Sequence, residues 1–182
     1  VGVGSNRLNL ITVSESAQAL AEYLNQTIQS PSVAIACDTR LSSKDFTECA
    51  AATLVKNGVK VFMFSNYRST PELSFAVRYL KASAGIMITA SHNPPEDNGI
   101  KVYWSDGAQI SAPHDTNLME IAAKIDIFKI GDFATLVESG RIEIVGRGID
   151  QKYIEANVKL SLSNARDLKI AYSPLHGSGM TN

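Results

Sequence analysis

The first ninety residues alternate between helical spacing of apolar positions and short, unbroken apolar runs. Apolar residues three or four positions apart predict helices at 14–29, 43–57 and 70–80. Unbroken apolar runs predict buried strands at 33–37, 59–64 and 85–89. Because helices and strands alternate, the pattern is typical of an α/β fold with a mainly parallel sheet.

The pattern changes after the third strand. Asn98-Gly99 precedes a segment at 100–104, and Asp106-Gly107, which is a hairpin signal, precedes a segment at 108–111. We expect an antiparallel hairpin here, which makes the sheet mixed. The remaining predicted elements are a helix at 113–125, a short helix at 133–138, a strand at 142–145 and a last helix that contains Tyr153, Ile154, Val158 and Leu160.

Polar residues at the predicted helix starts are candidates for capping. Thr12 with Glu15 has the form of a capping box for the first helix. Ser42 or Ser43 is expected to cap the second helix, and Asp150 the last.

The end of the chain predicts a change of domain. A polar stretch at 161–167 is typical of a linker, and 168–172 predicts a new strand followed by a loop at 174–179. We therefore expect residues 1–164 to form one domain and residues 165–182 to open a second. The predicted fold class is α/β: a three-layer αβα domain with a mainly parallel mixed sheet that carries an antiparallel hairpin, plus the start of a second, similar domain.

Composition narrows the class of protein. Apolar residues make up 45% of the 182 positions, which suits a globular protein and excludes a disordered one. Lys and Arg number 17 against 18 for Asp and Glu, so we expect neither nucleic acid nor a membrane surface as partner. No apolar run approaches the roughly 20 residues that span a bilayer, and the first residues lack the basic segment of a signal peptide.

The two cysteines, Cys37 and Cys49, lack the spacing of metal ligands. We expect reduced, packed thiols in a cytoplasmic protein, with a disulfide as the less favoured alternative. His114 lies at the polar start of a predicted helix and is expected to be solvated.

A hydroxyl, an imidazole and an amide follow the third predicted strand directly, as Ser91, His92 and Asn93. Open α/β sheets bind ligands at the carboxyl ends of their strands. Lys101 follows ten residues after Ser91, so the segment supplies a hydroxyl to carry phosphate, donors to hold it and an amine to move a proton. Arg40 follows the first predicted strand and should reach the same crevice.

This segment resembles the phosphoserine signature of the α-D-phosphohexomutases, the family of phosphoglucomutase and phosphomannomutase. The resemblance is carried by Thr89-Ala90-Ser91-His92-Asn93-Pro94 and by Asn98-Gly99-Ile100-Lys101. Weaker matches at 38–42, 69–71 and 173–179 follow in the family's order. The closest likeness is to the phosphoglucomutase branch, which implies the N-terminal part of an intramolecular phosphotransferase that interconverts glucose 1-phosphate and glucose 6-phosphate.

The resemblance implies a role for each site residue, beside a simpler alternative. Ser91 would carry the phosphoryl group, His92 would contact it or else fix the turn, and Lys101 would transfer a proton or else be an exposed strand lysine. Arg40 would hold phosphate or else pair with Asp38 or Asp45 as a structural clamp. His176 would bind substrate from the second domain or else belong to a plain turn.

The resemblance also implies Mg²⁺, with one ligand from the phosphate on Ser91, and glucose 1,6-bisphosphate as activator and intermediate. Mg²⁺ takes about six oxygen ligands, and the family's Asp-Gly-Asp-Gly-Asp-type loop is absent from this sequence. We therefore expect the remaining ligands in other domains of the same enzyme, and an inactive chain when it is alone. A phosphomannomutase, a phosphopentomutase and a non-catalytic sugar-phosphate-binding domain are the alternatives.

Overall fold

A five-stranded sheet forms the centre of the protein in a computed structural model that describes residues 2–126 and 131–181. Its strands are β1 (Ser32–Cys37), β2 (Lys60–Phe64), β3 (Ala84–Ile88), β4 (Ile100–Trp104) and β5 (Ile142–Val145). Their order across the sheet is β4-β3-β1-β2-β5. Among the pairings between these five strands, β3–β4 is antiparallel and the others are parallel, so the predicted mixed α/β sheet is confirmed.

Helices cover both faces of this sheet. They are α1 (Leu10–Thr27), α2 (Ser43–Lys56), α3 (Thr70–Tyr79), α4 (His114–Ala122), α5 (Phe133–Glu138) and α6 (Arg147–Val158). Successive side chains of a strand point to opposite faces. In β1, Val33 and Ile35 therefore pack among residues of α1 and α2, whereas Ala34 and Ala36 pack among residues of α3 and α6. The three-layer prediction is confirmed.

The predicted hairpin is formed in part. Residues 100–104 are strand β4, but 108–111 is not a strand. It still covers the outer edge of β4, because the Trp104 amide donates to the Ala108 carbonyl at 2.9 Å and the Ile110 amide to the Val102 carbonyl at 3.0 Å. These two hydrogen bonds pair part of the exposed edge of β4, although residues 108–111 do not form a sixth strand.

Each predicted cap needs correction. The capping box of α1 joins Asn9 and Thr12, since the Asn9 side chain accepts from the Thr12 amide and the Thr12 hydroxyl accepts from the Asn9 amide. Ser42 precedes α2 but makes no capping hydrogen bond with its side chain. Asp150 lies inside α6, where it is buried and paired with Arg68 at 2.8 Å. An ion pair to a residue 82 positions away therefore replaces the predicted cap.

The predicted strand at 168–172 is not formed. Leu168, Ile170 and Tyr172 are 81%, 78% and 69% exposed, and no described strand lies beside them. A strand is stable only when a neighbour takes its backbone hydrogen bonds. Apolar residues therefore alternate in residues 168–172 as in a strand, but no described strand pairs with this segment.

His114 is not solvated as predicted. Its ring stacks on Trp104 with centroids 4.0 Å apart, and its Nδ1 lies 2.8 Å from the Tyr23 hydroxyl. Both cysteines are free thiols, as predicted. Within the described residues, no helix has the length and apolar character needed to cross a membrane.

Candidate active site

The candidate site lies where the chain leaves the centre of the sheet. Strands β1 and β3 are neighbours, and the chain continues from β1 to β2 on the opposite side, so the strand order reverses at this point. Such a switch point leaves a crevice outside the carboxyl ends of the strands. Asp38, Thr39 and Arg40 follow β1 there, and Ser91 and His92 follow β3.

Lys101 faces Ser91 directly. Its Nζ donates to the Ser91 Oγ at 2.7 Å. The antiparallel register makes this possible, because Lys101 on β4 lies opposite Met87 on β3, four residues before Ser91. The Ser91 side chain is exposed, so its hydroxyl is open to a substrate.

Ser91 has a backbone conformation that side chains rarely adopt, with φ at +58°. A non-glycine residue there costs about 1–3 kcal/mol, and neighbouring contacts must hold it. The Ser91 amide donates to the Thr89 hydroxyl at 2.9 Å, and that hydroxyl donates to Asp38 Oδ2 at 2.6 Å. Ser43 also donates to Asp38, at 2.9 Å. A short relay of hydrogen bonds thus ties the turn at Ser91 to the end of β1.

Arg40 holds the same turn from the other side. Its side chain is only 7% exposed, and its Nε donates to Asp38 Oδ2 at 2.9 Å. Its Nη2 donates to the Ser91 carbonyl at 2.7 Å, and its Nη1 donates to the carbonyls of Asn93, Pro94 and Asp97. The structure therefore shows the clamp alternative for Arg40; a direct phosphate contact stays a prediction.

Asn98 and Gly99 close the loop at its far end. Asn98 is fully buried, and its amide nitrogen donates to the hydroxyls of Ser42 and Ser43 at 3.0 Å. A Cβ atom at Gly99 would lie 2.8 Å from the Thr89 carbonyl oxygen, so only glycine fits there without a shift of the backbone. The Asn-Gly pair is therefore part of the site's framework as well as a turn signal.

Two cavities meet at Ser91. The larger, about 1,160 Å³, is lined by Arg40, Ser91, His92 and His176, among others. The smaller, about 560 Å³, lies toward α1 and is lined by Ser91 and Lys101. Ser91 thus lines both cavities, together with Arg40, His92 and His176 in the larger and with Lys101 in the smaller.

His176 reaches the larger cavity from the last part of the chain. Both His176 and His92 are exposed. The His176 backbone carbonyl accepts from the Thr39 hydroxyl at 3.1 Å, which attaches this segment to the loop after β1. Imidazoles that are open to a cavity can donate hydrogen bonds to phosphoryl or sugar oxygens.

The smaller cavity also contains a residue that the sequence did not single out. Arg7 lines it together with Asn6, Thr12 and Ser16. A lone arginine in a polar loop before a helix is ordinary, and no local motif marks it. Only the fold brings it to Ser91, since the Gly2 amide donates to the Asn98 carbonyl at 3.2 Å.

The thiol of Cys37 lies near this crevice and is the alternative nucleophile, but its raised pKa argues against that role. Cys37 ends β1, and burial raises its pKa above the ordinary value; a hydrogen bond with Thr47 opposes this rise, and the negative charge of Asp38 adds to it. Since the thiolate is the reactive form, Cys37 is protonated and unreactive at neutral pH. Ser91, whose hydroxyl is exposed, stays the predicted nucleophile.

Among the described residues, no group of three or more His, Cys, Asp or Glu side chains could hold a metal ion. Ser91 with its phosphate would therefore be the only ligand that the predicted site residues offer to Mg²⁺. The residues that the structure describes do not form a complete magnesium site.

The sequence matches the model of one protein family and curated relatives that carry the same name. The model of the phosphoglucomutase/phosphomannomutase alpha/beta/alpha domain I matches residues 1–128. The chain is 41% identical to a phosphoglucomutase of Staphylococcus saprophyticus and 37% identical to one of Staphylococcus aureus. Each match covers 98% of this chain but 33% of the relative. The chain thus spans about a third of the length of the curated relatives it matches.

Solved structures agree on the fold. A protein of Thermus thermophilus, assigned as a phosphomannomutase, superposes with a TM-score of 0.69 at 29% identity, over 88% of this chain and 34% of that one. The phosphoglucomutase parafusin of Paramecium superposes with a TM-score of 0.68 at 17% identity, over 82% of this chain and 32% of that one. At that identity the second likeness concerns the fold alone.

Proposed function

The chain belongs to the phosphoglucomutase/phosphomannomutase family, and from that premise we propose that it is the first-domain part of a phosphoglucomutase. The whole enzyme would interconvert glucose 1-phosphate and glucose 6-phosphate. The observation that carries the proposal is the 2.7 Å hydrogen bond from Lys101 Nζ to the exposed Ser91 Oγ at the switch point of the sheet. Identities of 37–41% to phosphoglucomutases favour glucose over other sugars.

In this proposal Ser91 carries a phosphoryl group and hands it to a sugar hydroxyl. The attacking sugar hydroxyl loses its proton as the bond between phosphorus and Ser91 Oγ breaks, and Lys101 is placed to supply Ser91 Oγ with the proton that it gains. When Ser91 later attacks the bisphosphorylated sugar, the same amine is placed to take the Ser91 proton, and the sugar oxygen that leaves regains one. Proton transfer by a positioned group of this kind contributes about 10²–10⁴-fold to a rate.

The remaining site residues are proposed to bind rather than react. His92 and His176 would donate hydrogen bonds to phosphoryl or sugar oxygens in the larger cavity, which both line. Arg40 would hold the loop in shape, with any phosphate contact secondary to its bonds to loop carbonyls. Catalysis of phosphoryl transfer depends largely on such positioning and on charge stabilisation.

The proposal includes Mg²⁺ and glucose 1,6-bisphosphate because the resemblance to the family implies both. When bound, Mg²⁺ would neutralise charge on the phosphoryl oxygens. The described residues do not supply its ligand set, so Ser91 would contribute one phosphate oxygen and residues outside this chain the others. We also propose that residues 1–164 form the first domain and that residues 165–182 open the second. A cytoplasmic location is proposed as well, and the two free thiols support it.

The test is a substrate comparison with the full-length protein. Glucose 1-phosphate, mannose 1-phosphate and ribose 1-phosphate would be supplied in parallel with Mg²⁺ and the matching bisphosphate. We expect the highest kcat/KM with glucose 1-phosphate, and no turnover by residues 1–182 alone. A higher kcat/KM with mannose 1-phosphate or ribose 1-phosphate would overturn the substrate assignment, and no turnover of any of them would favour a binding domain.

A further inference from the structure

We propose that Arg7 is a phosphoryl-binding residue, whose guanidinium holds, together with Lys101, the phosphoryl group carried by Ser91. The inference rests on the proposed role of Ser91 and adds a residue to it. The group would occupy the 560 Å³ cavity on the α1 side of Ser91.

The charges around this cavity favour a dianion. Arg7 and Lys101 both line it, and its described lining residues include no Asp or Glu. The remaining lining side chains include the hydroxyls of Thr12 and Ser16 and the amides of Asn6 and Asn93. Two cations without a lining carboxylate repel each other until an anion lies between them.

Arg7 has a fixed backbone and an uncommitted side chain. Its amide donates to the Gly4 carbonyl at 3.0 Å, and its carbonyl accepts from the Thr12 hydroxyl at 3.2 Å. Its side chain is exposed, and within residues 2–126 and 131–181 it forms no ion pair. The Asp97 carboxylate lies nearby without forming an ion pair: a Cβ atom built on Gly2 would lie 2.8 Å from Arg7 Nη1 and 3.4 Å from Asp97 Oδ1.

Arg40 cannot take this role without breaking the loop, because its donors are given to Asp38 and to backbone carbonyls. Lys101 has three donors and directs one at Ser91 Oγ. A phosphoryl group has three terminal oxygens, and guanidinium binds two of them at once. Arg7 therefore supplies the planar, bidentate donor that the cavity otherwise lacks.

Inorganic phosphate is the probe. Its dissociation constant would be measured by calorimetry with unphosphorylated residues 1–182, for the wild type, Arg7→Gln and Arg7→Lys. The matched control is Arg141→Gln, which removes the same charge from an exposed site beside β5, at the opposite edge of the sheet. We expect phosphate to bind about tenfold more weakly to Arg7→Gln, with Arg7→Lys between the two and Arg141→Gln unchanged. The thermal midpoint should stay the same in all variants, since the Arg7 side chain is exposed.

A second measurement assigns the bound group. In a chain with phosphoserine incorporated at position 91, the site is already filled, so added phosphate should no longer bind. Phosphate that still binds in an Arg7-dependent way would mean that Arg7 serves a substrate phosphate, and would overturn the proposal. So would equal affinities of the wild type and Arg7→Gln, or no phosphate binding by the wild type.

These measurements need no turnover. An inactive full-length enzyme together with Arg7-dependent phosphate binding would remove the mutase assignment only. An active enzyme with Arg7-independent phosphate binding would remove the Arg7 assignment only.

Discussion

The amine of Lys101 and the hydroxyl of Ser91 are 2.7 Å apart, although the two residues are ten positions apart in the chain. Strand β4 returns antiparallel beside β3 and brings them together. The amine therefore lies within hydrogen-bond distance of the oxygen that it is proposed to protonate.

Replacement of Lys101 by Gln tests the proposed proton transfer. In the full-length enzyme, we expect kcat for glucose 1-phosphate to fall about 10²–10⁴-fold, because no amine remains to exchange the Ser91 proton. The control is Lys159→Gln, at an exposed position directly after α6. Steady-state kinetics of both variants check this, and a Lys101→Gln enzyme with near-normal kcat would remove Lys101 from the mechanism.

Arg40→Met tests the clamp. The substitution leaves Asp38 half-buried without its partner and releases the carbonyls of Ser91, Asn93 and Asp97. We expect a loss of about 3–5 kcal/mol of unfolding free energy, as for other broken buried pairs. Urea denaturation measures the loss.

Hydrogen exchange separates the clamp from general destabilisation. In Arg40→Met, the amides of the 91–98 loop should lose more protection than those of β5 on the far side of the sheet. An equal loss at both places would contradict a local role for Arg40.

Gly99→Ala tests the packing of the loop against β3. The added methyl group would lie 2.8 Å from the Thr89 carbonyl oxygen, and a backbone atom cannot simply rotate away. We expect destabilisation of about 1–3 kcal/mol. Gly148→Ala is the control, because it adds the same methyl group in open space on α6 and should stabilise by up to about 1 kcal/mol. Equal effects at the two positions, measured by urea denaturation, would show that the close contact is absent.

The lowered pKa of Asp150 predicts how the free energy of unfolding depends on pH. Burial raises its pKa, but the hydrogen bonds from Arg68 and Glu72 and the charge of Arg68 outweigh burial, so its net pKa lies below the ordinary value. A lowered carboxyl pKa stabilises the folded state above the unfolded pKa, near 3.9, and this contribution is lost as pH falls through the folded value.

The measurement compares Asp150→Asn with the wild type in urea at several pH values. The difference in unfolding free energy should be largest near neutral pH and shrink below about pH 4. In an Arg68→Met background this difference should no longer grow as pH rises, because burial then raises the Asp150 pKa without the opposing charge of Arg68. A difference that stays constant from pH 7 to pH 3 would contradict the lowered pKa.

The sequence allowed prediction of those parts of the fold that depend on near neighbours. Strand β5 and helix α5 have the predicted bounds, because each is a short periodic segment between clear breaks. The turn at Ser91 was predictable because its chemistry lies within one contiguous segment at the end of a buried strand. The strand at 168–172 failed, since its pairing requires a neighbour that local periodicity does not reveal.

Long-range contacts decided the points that the sequence left open or misassigned. Asp150 has the local features of a cap, but Arg68 lies close enough to pair with it. The clamp formed by Arg40 depends on the carbonyls of a loop more than fifty residues away. Arg7 could not be predicted from local sequence, because it reaches the site through the contact of the first residues with Asn98.

Phosphorylation of Ser91 in the full-length protein is the most direct test of the proposed function. Protein purified from cells would be treated with glucose 1,6-bisphosphate, digested and analysed by mass spectrometry, beside a Ser91→Ala control. We predict one phosphoryl group on the peptide that contains Ser91 and none on that peptide in the control. A Ser91 that stays unmodified before and after treatment, or a label that persists in Ser91→Ala, would contradict the assignment of this hydroxyl as the phosphoryl carrier.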